Sequence, residues 1–174
     1  MTLSSSFQAD GALELLTDLH ARTLHQCASL RRLAHDLAER GCDDQARSAA
    51  ETLLRYFDVI PPRYYSDEEE DLFPALLESM AGSDAVCLRD LTAGMARQHR
   101  ALETMWERLR KALAAVANGQ HTLLDSAEVE AFAALNESHI EREQAELLPM
   151  AQRLLTDDAL AQIGASMRER HRVD

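Results

Sequence analysis

Residues 88–116, LRDLTAGMARQHRALETMWERLRKALAAV, set Leu88, Met95, His99, Leu102, Trp106, Leu109, Leu113 and Val116 at intervals of three, four or seven. That spacing stacks the eight side chains on one helical face, and no proline interrupts it. It predicts a helix from about Asp84 to Ala117, ended by the NGQ turn at 118–120. One member of the apolar stripe, His99, is ionisable.

The same reading extends in both directions. Upstream, Leu13, Leu16, His20, Thr23, Cys27, Leu30, Ala34 and Leu37 form a second seam, on a helix from about Ala12 to Arg40 that stops at Gly41. Glycine suits the left-handed conformation that closes a helix. His25 and His35 fall off the seam and read as surface residues. A second helix starts near Asp43 or Asp44, meets Pro61 and Pro62, and resumes through about Met80 before the turn AGSD. Downstream, Asp125 and Glu128 have capping-box spacing for a helix running to about Leu155, with Val129, Phe132, Asn136, His139, Glu143, Leu147, Met150 and Leu154 on one face. Thr156 and the aspartates after it predict the cap of a short C-terminal helix.

Short connections join antiparallel neighbours, so the expected architecture is all-α, an up-down-up-down four-helix bundle with its second helix kinked at Pro61 and Pro62. A chain of 174 residues suits one domain, 1–174, with its core over about 12–155. The composition agrees: 46% of residues are hydrophobic, with six glycines and four prolines. A net charge of -12 argues against nucleic acid and anionic membranes as partners and favours cations. No leader-like start and no unbroken apolar window of about 18 residues is present, which predicts a cytoplasmic protein. Cys27, Cys42 and Cys87 lack the spacing of a disulfide framework or a zinc site and read as small buried hydrophobes.

The seams carry His20, His99 and His139 among apolar neighbours, together with Glu143. Glu103 lies one turn beyond His99, and the second helix offers Tyr65, Glu69, Leu72 and Leu76. Counted from the intervening turns, these polar positions stand at heights that agree within about one helical turn, at ~1.5 Å per residue. Carboxylates inside a bundle require compensating charge. His99 and Glu103, His139 and Glu143, and Tyr65 and Glu69 each point from one helix face, so each pair can hold a cation from one rigid element. Imidazole with carboxylate suits iron, manganese or zinc better than calcium or magnesium.

The stretch PPRYYSDEEEDLFP, residues 61–74, admits two readings. Ser66 and Glu69 have capping-box spacing and acids favour a helix start, so Asp67, Glu68, Glu70 and Asp71 read as solvated, whereas Glu69 reads as part of the polar layer. Tyr65 then stands where an imidazole would be expected. It could ligate Fe(III) as tyrosinate, or hydrogen-bond to a bridging group; alternatively the site could have lost one or both metals.

At LHARTLHQCASLRRLAHDL, YFDVIPPRYYSDEEEDLFPAL, ARQHRALETMWERL and LNESHIEREQAELLPMA the chain resembles the bacterial hemerythrin-like proteins of the HHE cation-binding family. DEEEDLFPAL is the most specific of these stretches, and the resemblance covers most of the chain. It implies a four-helix bundle holding two non-haem iron ions, or manganese or zinc, and a role in handling or sensing dioxygen, nitric oxide, peroxide or iron. Carried across by position, it implies His20, Glu69, His99, Glu103, His139 and Glu143 as ligands, with Glu69 and Glu143 as bridges. Turnover and homodimer formation stay open. A different class also stays open: a regulatory or interaction bundle without a redox metal, its polar layer a hydrogen-bond network.

Overall fold

The computed structural model describes residues 11–79 and 84–172. Among these the chain is helical, without strands. The elements are α1 (Ala12–Arg40), α2 (Asp44–Ser66), a π-helical segment (Asp67–Leu72), α3 (Phe73–Ser79), α4 (Asp84–Ala117), α5 (Ser126–Arg142), a second π-helical segment (Glu143–Leu147), α6 (Leu148–Leu154) and α7 (Asp157–Arg170). The AGSD turn expected after Met80 lies largely outside the described residues.

Local chemistry marks the helix ends. Gly41 adopts φ 76° and donates its N–H to the Leu37 carbonyl, closing α1. Asp43 caps α2 by accepting from Ala46 N at 2.7 Å. Asp125 accepts from the N–H groups of Ala127 and Glu128, and Thr156 accepts from Ala159, so α5 and α7 start at the expected residues. Gly119, at φ 77°, turns the chain after α4.

α1 packs against α2 and α5, and α4 packs against the same two, so the long helices form a closed ring of neighbours. Their shared interior is built from the seams: Leu16, Cys27, Leu30 and Leu37 from α1, Leu53 and Phe57 from α2, Leu88, Met95, Leu102, Leu109, Leu113 and Val116 from α4, and Val129 and Phe132 from α5 are all buried. Each large side chain so placed contributes about 1.5–3 kcal/mol. Phe57, Trp106 and Phe132 meet at ring-centroid distances of 4.9, 5.2 and 6.0 Å, an aromatic slab at the centre. Among the cysteines the expectation holds for Cys27 only. Cys42 is half-buried and Cys87 exposed, because Cys87 stands beside the seam residue Leu88 and faces outward.

Two corrections concern the stretch 61–74. Ser66 does not cap a new helix: α2 runs through Pro61 and Pro62 and continues directly into the π-helical turn. Nor are all the acids beside Glu69 solvated, since Asp67 and Glu68 are 1% and 0% exposed. The cause is the wider turn. In each π segment the ladder slips by one residue, so that Phe73 N–H bonds to the Glu68 carbonyl and Leu148 N–H to the Glu143 carbonyl. Pro74 and Pro149 follow at the same spacing from Glu68 and Glu143, and each lacks the N–H that would have continued the α-pattern.

Candidate metal centre

The widened turns decide which carboxylates face inward. A strict alternation of three and four selects Glu69 with Leu72 and Leu76, but a wide turn makes every fourth residue share a face. Tyr64, Glu68, Leu72 and Leu76, each four residues from the next, are all 0% exposed. Glu143 occupies the matching place in the second segment and is also fully buried.

Five ionisable side chains, all 0% exposed, meet between the helices: His20 from α1, Glu68, His99 from α4, His139 from α5, and Glu143. Glu68, His99, His139 and Glu143 each present a ligand atom within 4.8 Å of the others. His20 Nε2 lies 2.9 Å from Glu143 Oε2 and 3.8 Å from Glu68 Oε1. On the opposite side, Glu68 Oε2 is 3.1 Å from His99 Nε2, and Glu143 Oε1 is 2.8 Å from His139 Nε2. Each carboxylate therefore turns one oxygen toward His20 and the other toward the His99–His139 pair.

The outward nitrogens of that pair are fixed. His99 Nδ1–H donates to Glu69 Oε1 at 2.6 Å, and His139 Nδ1–H donates to Gln98 Oε1 at 3.1 Å. A ring whose Nδ1 carries the hydrogen-bonded proton is free to offer its Nε2 lone pair to a cation. Both Nε2 atoms point into the cluster.

Three further sequence candidates, Glu69, Glu103 and Tyr65, lie outside this group. Glu69 is 22% exposed and bonds to His99 and to Arg100; Glu103 is 40% exposed and accepts from Arg100 Nη1 at 3.1 Å. Tyr65 is buried with its ring stacked on His99, centroids 4.0 Å apart and planes at 17°. Tyr64 is the fully buried phenol. Its ring meets that of His20 edge-on at 5.8 Å, and its hydroxyl, beside Tyr65, makes no well-aligned hydrogen bond.

Burial and mutual charge set the protonation of the cluster. Burial by itself depresses His20, but Glu143 and Glu68 override it and raise the ring to about 9. For His99 burial likewise opposes Glu143, Glu68 and Glu69, which bring it to about 10. Burial, then Glu143, raises the Glu68 carboxyl, whereas Glu143 is held well below the usual carboxylate range because three imidazoles outweigh its burial. Burial pushes both phenols upward.

Whether a cation fits is answered by the polar atoms left over. Both ring nitrogens of His20, both oxygens of Glu68 and of Glu143, and the Tyr64 hydroxyl are buried without an aligned hydrogen bond. Groups of this kind are costly unless something satisfies them. Donors converging from separate helices on a shared interior space, with the outer edges of His99 and His139 anchored, have the chemistry of a cation site.

Sequence reasoning missed Glu68, Tyr64 and Gln98. The available signal was internal: Glu68 precedes Pro74 as Glu143 precedes Pro149, which places Tyr64 opposite His139 in the comparison.

The fold and the cluster together define a helical protein of the cation-binding kind, with a histidine and glutamate group that could hold a metal. The model of the hemerythrin HHE cation-binding domain matches residues 11–151, and the chain belongs to that family. No curated protein matches the chain. Among the described residues no helix is long and apolar enough to cross a membrane.

Proposed function

We propose that this protein is a cytoplasmic non-haem diiron protein that handles or senses peroxide, nitric oxide, dioxygen or iron. The proposal takes the bundle as one up-down-up-down domain kinked at the two prolines. The observation that supports two ions is the divided orientation of Glu68 and Glu143, each with one oxygen toward His20 and one toward His99 and His139. In this reading Glu68 and Glu143 would be shared by the two ions, His99 and His139 would hold one, and His20 would hold the other. The phenol that fits the second ion is Tyr64, whose buried hydroxyl is otherwise unsatisfied. Tyr65 packs on His99, Glu69 orients it, and Glu103 balances Arg100.

Bound iron would supply one-electron chemistry and Lewis acidity. The chain supplies the rest: anionic donors that favour the higher oxidation state, an apolar surround that excludes water, and outer bonds that hold the imidazoles in one tautomer. Such a donor set favours redox chemistry or sensing over reversible dioxygen carriage. The test is metal analysis and visible absorption of protein purified without chelator. About two irons per chain with a charge-transfer band is the expected result; a folded chain that neither retains nor takes up iron overturns it. Two zinc or manganese ions would indicate a site of structural purpose.

A metal-free interaction bundle draws support from the close contacts of His139 with Glu143 and of His99 with Glu68, which protons alone can satisfy. The same metal analysis separates the two readings.

A further inference from the structure

We infer that the C-terminal end of α7 is a clamp that positions Glu68, and with it one wall of the metal site, by gripping the outer face of the π-helical turn. The inference rests on the proposed metal reading. It concerns residues beyond the part of the chain that the family model matches, which ends at residue 151.

The turn Asp67–Leu72 presents two acidic faces. Glu68 points to the cluster, and Glu69 to the outward nitrogen of His99. On the other side the chain offers Asp67, Glu70 and Asp71, and all three are held by one guanidinium. Arg170 Nη1 bonds to Asp67 Oδ1 and lies 2.9 Å from Asp71 Oδ2, while its Nη2 lies 3.3 Å from Glu70 Oε2. His171 Nε2 takes the second Asp67 oxygen at 2.6 Å, with the ring 3% exposed. Asp67 is thus a buried carboxylate with both oxygens bound by the last turn of α7, and it is the immediate neighbour of Glu68.

α7 has independent anchorage. Ile163, Gly164 and Met167 are buried, and α7 packs along α1 as well as on the π segment. Gly164 sits so close to α1 that an added methyl would lie 3.5 Å from the Ala12 nitrogen. Arg170 is therefore carried by a docked helix and not by a free tail.

A π turn is a rare departure from the α-helical ladder and persists where its surroundings hold it. The second π segment, at Glu143, carries no acid triplet comparable to Asp67, Glu70 and Asp71 on its outer face. A fork-shaped guanidinium spanning three carboxylates fixes orientation as well as charge, which an ammonium cannot do. Arg170, His171 and Asp67 are accordingly positioning residues. They act on the cation through the orientation of Glu68.

The test uses the full chain loaded with Co(II), whose visible bands report ligand geometry, and a chelator that draws the metal out. For Arg170→Ala we expect release about tenfold faster than wild type with shifted bands. Arg170→Lys should fall between the two, and it carries the test if the alanine variant does not fold. Arg31→Ala, which breaks an exposed pair of bridges from α1 to Glu130 and Glu137, is the control for simple destabilisation and should leave release and bands unchanged. Arg170 variants that release Co(II) at the wild-type rate with wild-type bands overturn the clamp while leaving the metal site intact. A wild-type chain that takes up no Co(II) overturns the metal reading and this inference together.

Discussion

The Nε2 atoms of His99 and His139 face one another at 3.1 Å, and each ring is tied back through its Nδ1 to a different acceptor, Glu69 or Gln98. Two lone pairs cannot sit opposed at that distance without a proton or a cation between or beside them. In the cation-free protein a proton on His99 serves, held there against burial by the carboxylates of Glu143, Glu68 and Glu69.

Cation uptake should therefore release protons. His20 and His99, raised to about 9 and about 10, are charged at neutral pH and must deprotonate to bind. Affinity for Zn(II) or Fe(II) should rise between pH 6.5 and 8.5, and a pH-indicator dye should register acidification on loading. The metal-free chain behaves oppositely. A ring whose folded value is raised stabilises the fold fully below its ordinary value near 6.5 and loses that contribution as pH climbs through 9 for His20 and 10 for His99. Metal uptake that leaves dye and pH unchanged would contradict this account.

Neighbouring glutamates should behave differently. Glu68→Gln should abolish stoichiometric loading, because it takes the charge from the carboxylate that faces His20 with one oxygen and His99 with the other. Glu69→Ala should retain the metal with affinity reduced about 10- to 100-fold, the usual effect of releasing an orienting partner of a histidine ligand. Titration with a competing chelator distinguishes the two, and equal losses would place Glu69 inside the site.

The two tyrosines give a spectroscopic contrast. Tyr64→Phe should remove any phenolate-to-iron band from the ferric protein, and Tyr65→Phe should preserve it. In the metal-free protein Tyr64→Phe should also raise stability by about 1 kcal/mol, since it deletes an unsatisfied buried hydroxyl. Visible spectra and chemical denaturation of both variants check this; a band lost with Tyr65 instead would assign the phenol the other way.

Phe57 lies in the aromatic slab, against Trp106 and Phe132. Phe57→Ala should cost about 3–5 kcal/mol, as for other large-to-small changes in a packed interior. Where the variant remains folded it should bind metal normally, because none of the cluster residues packs its ring against Phe57 within the described aromatic contacts. Denaturation of the metal-free chain measures the first effect and metal analysis the second.

The helical seams were legible because burial repeats every three or four residues. His20, His99, His139 and Glu143 could thus be picked out in the sequence as the ionisable members of apolar faces. Glu68 was not, because counting at the α-helical period across 67–72 runs one residue ahead of a chain that winds more slowly there. Pro74 was visible, but its effect on the preceding turn shows only once the ladder is traced. Gln98 and Arg170 carry no periodic signal; their roles come from what the fold brings opposite them. Asp67 was misread for the same reason, since an acid in an acidic run looks solvated until its partner arrives from the far end of the chain.

Facing two carboxylates in common does not make the two ends of the cluster alike. Glu68 and Glu143 divide their oxygens evenly, yet beyond them one end has a pair of anchored imidazoles and the other a single imidazole beside a phenol. A chain supplied with less cation than it can hold should consequently fill in a definite sequence, the preorganised imidazole end first, so that half-loaded protein is a single species rather than a statistical mixture.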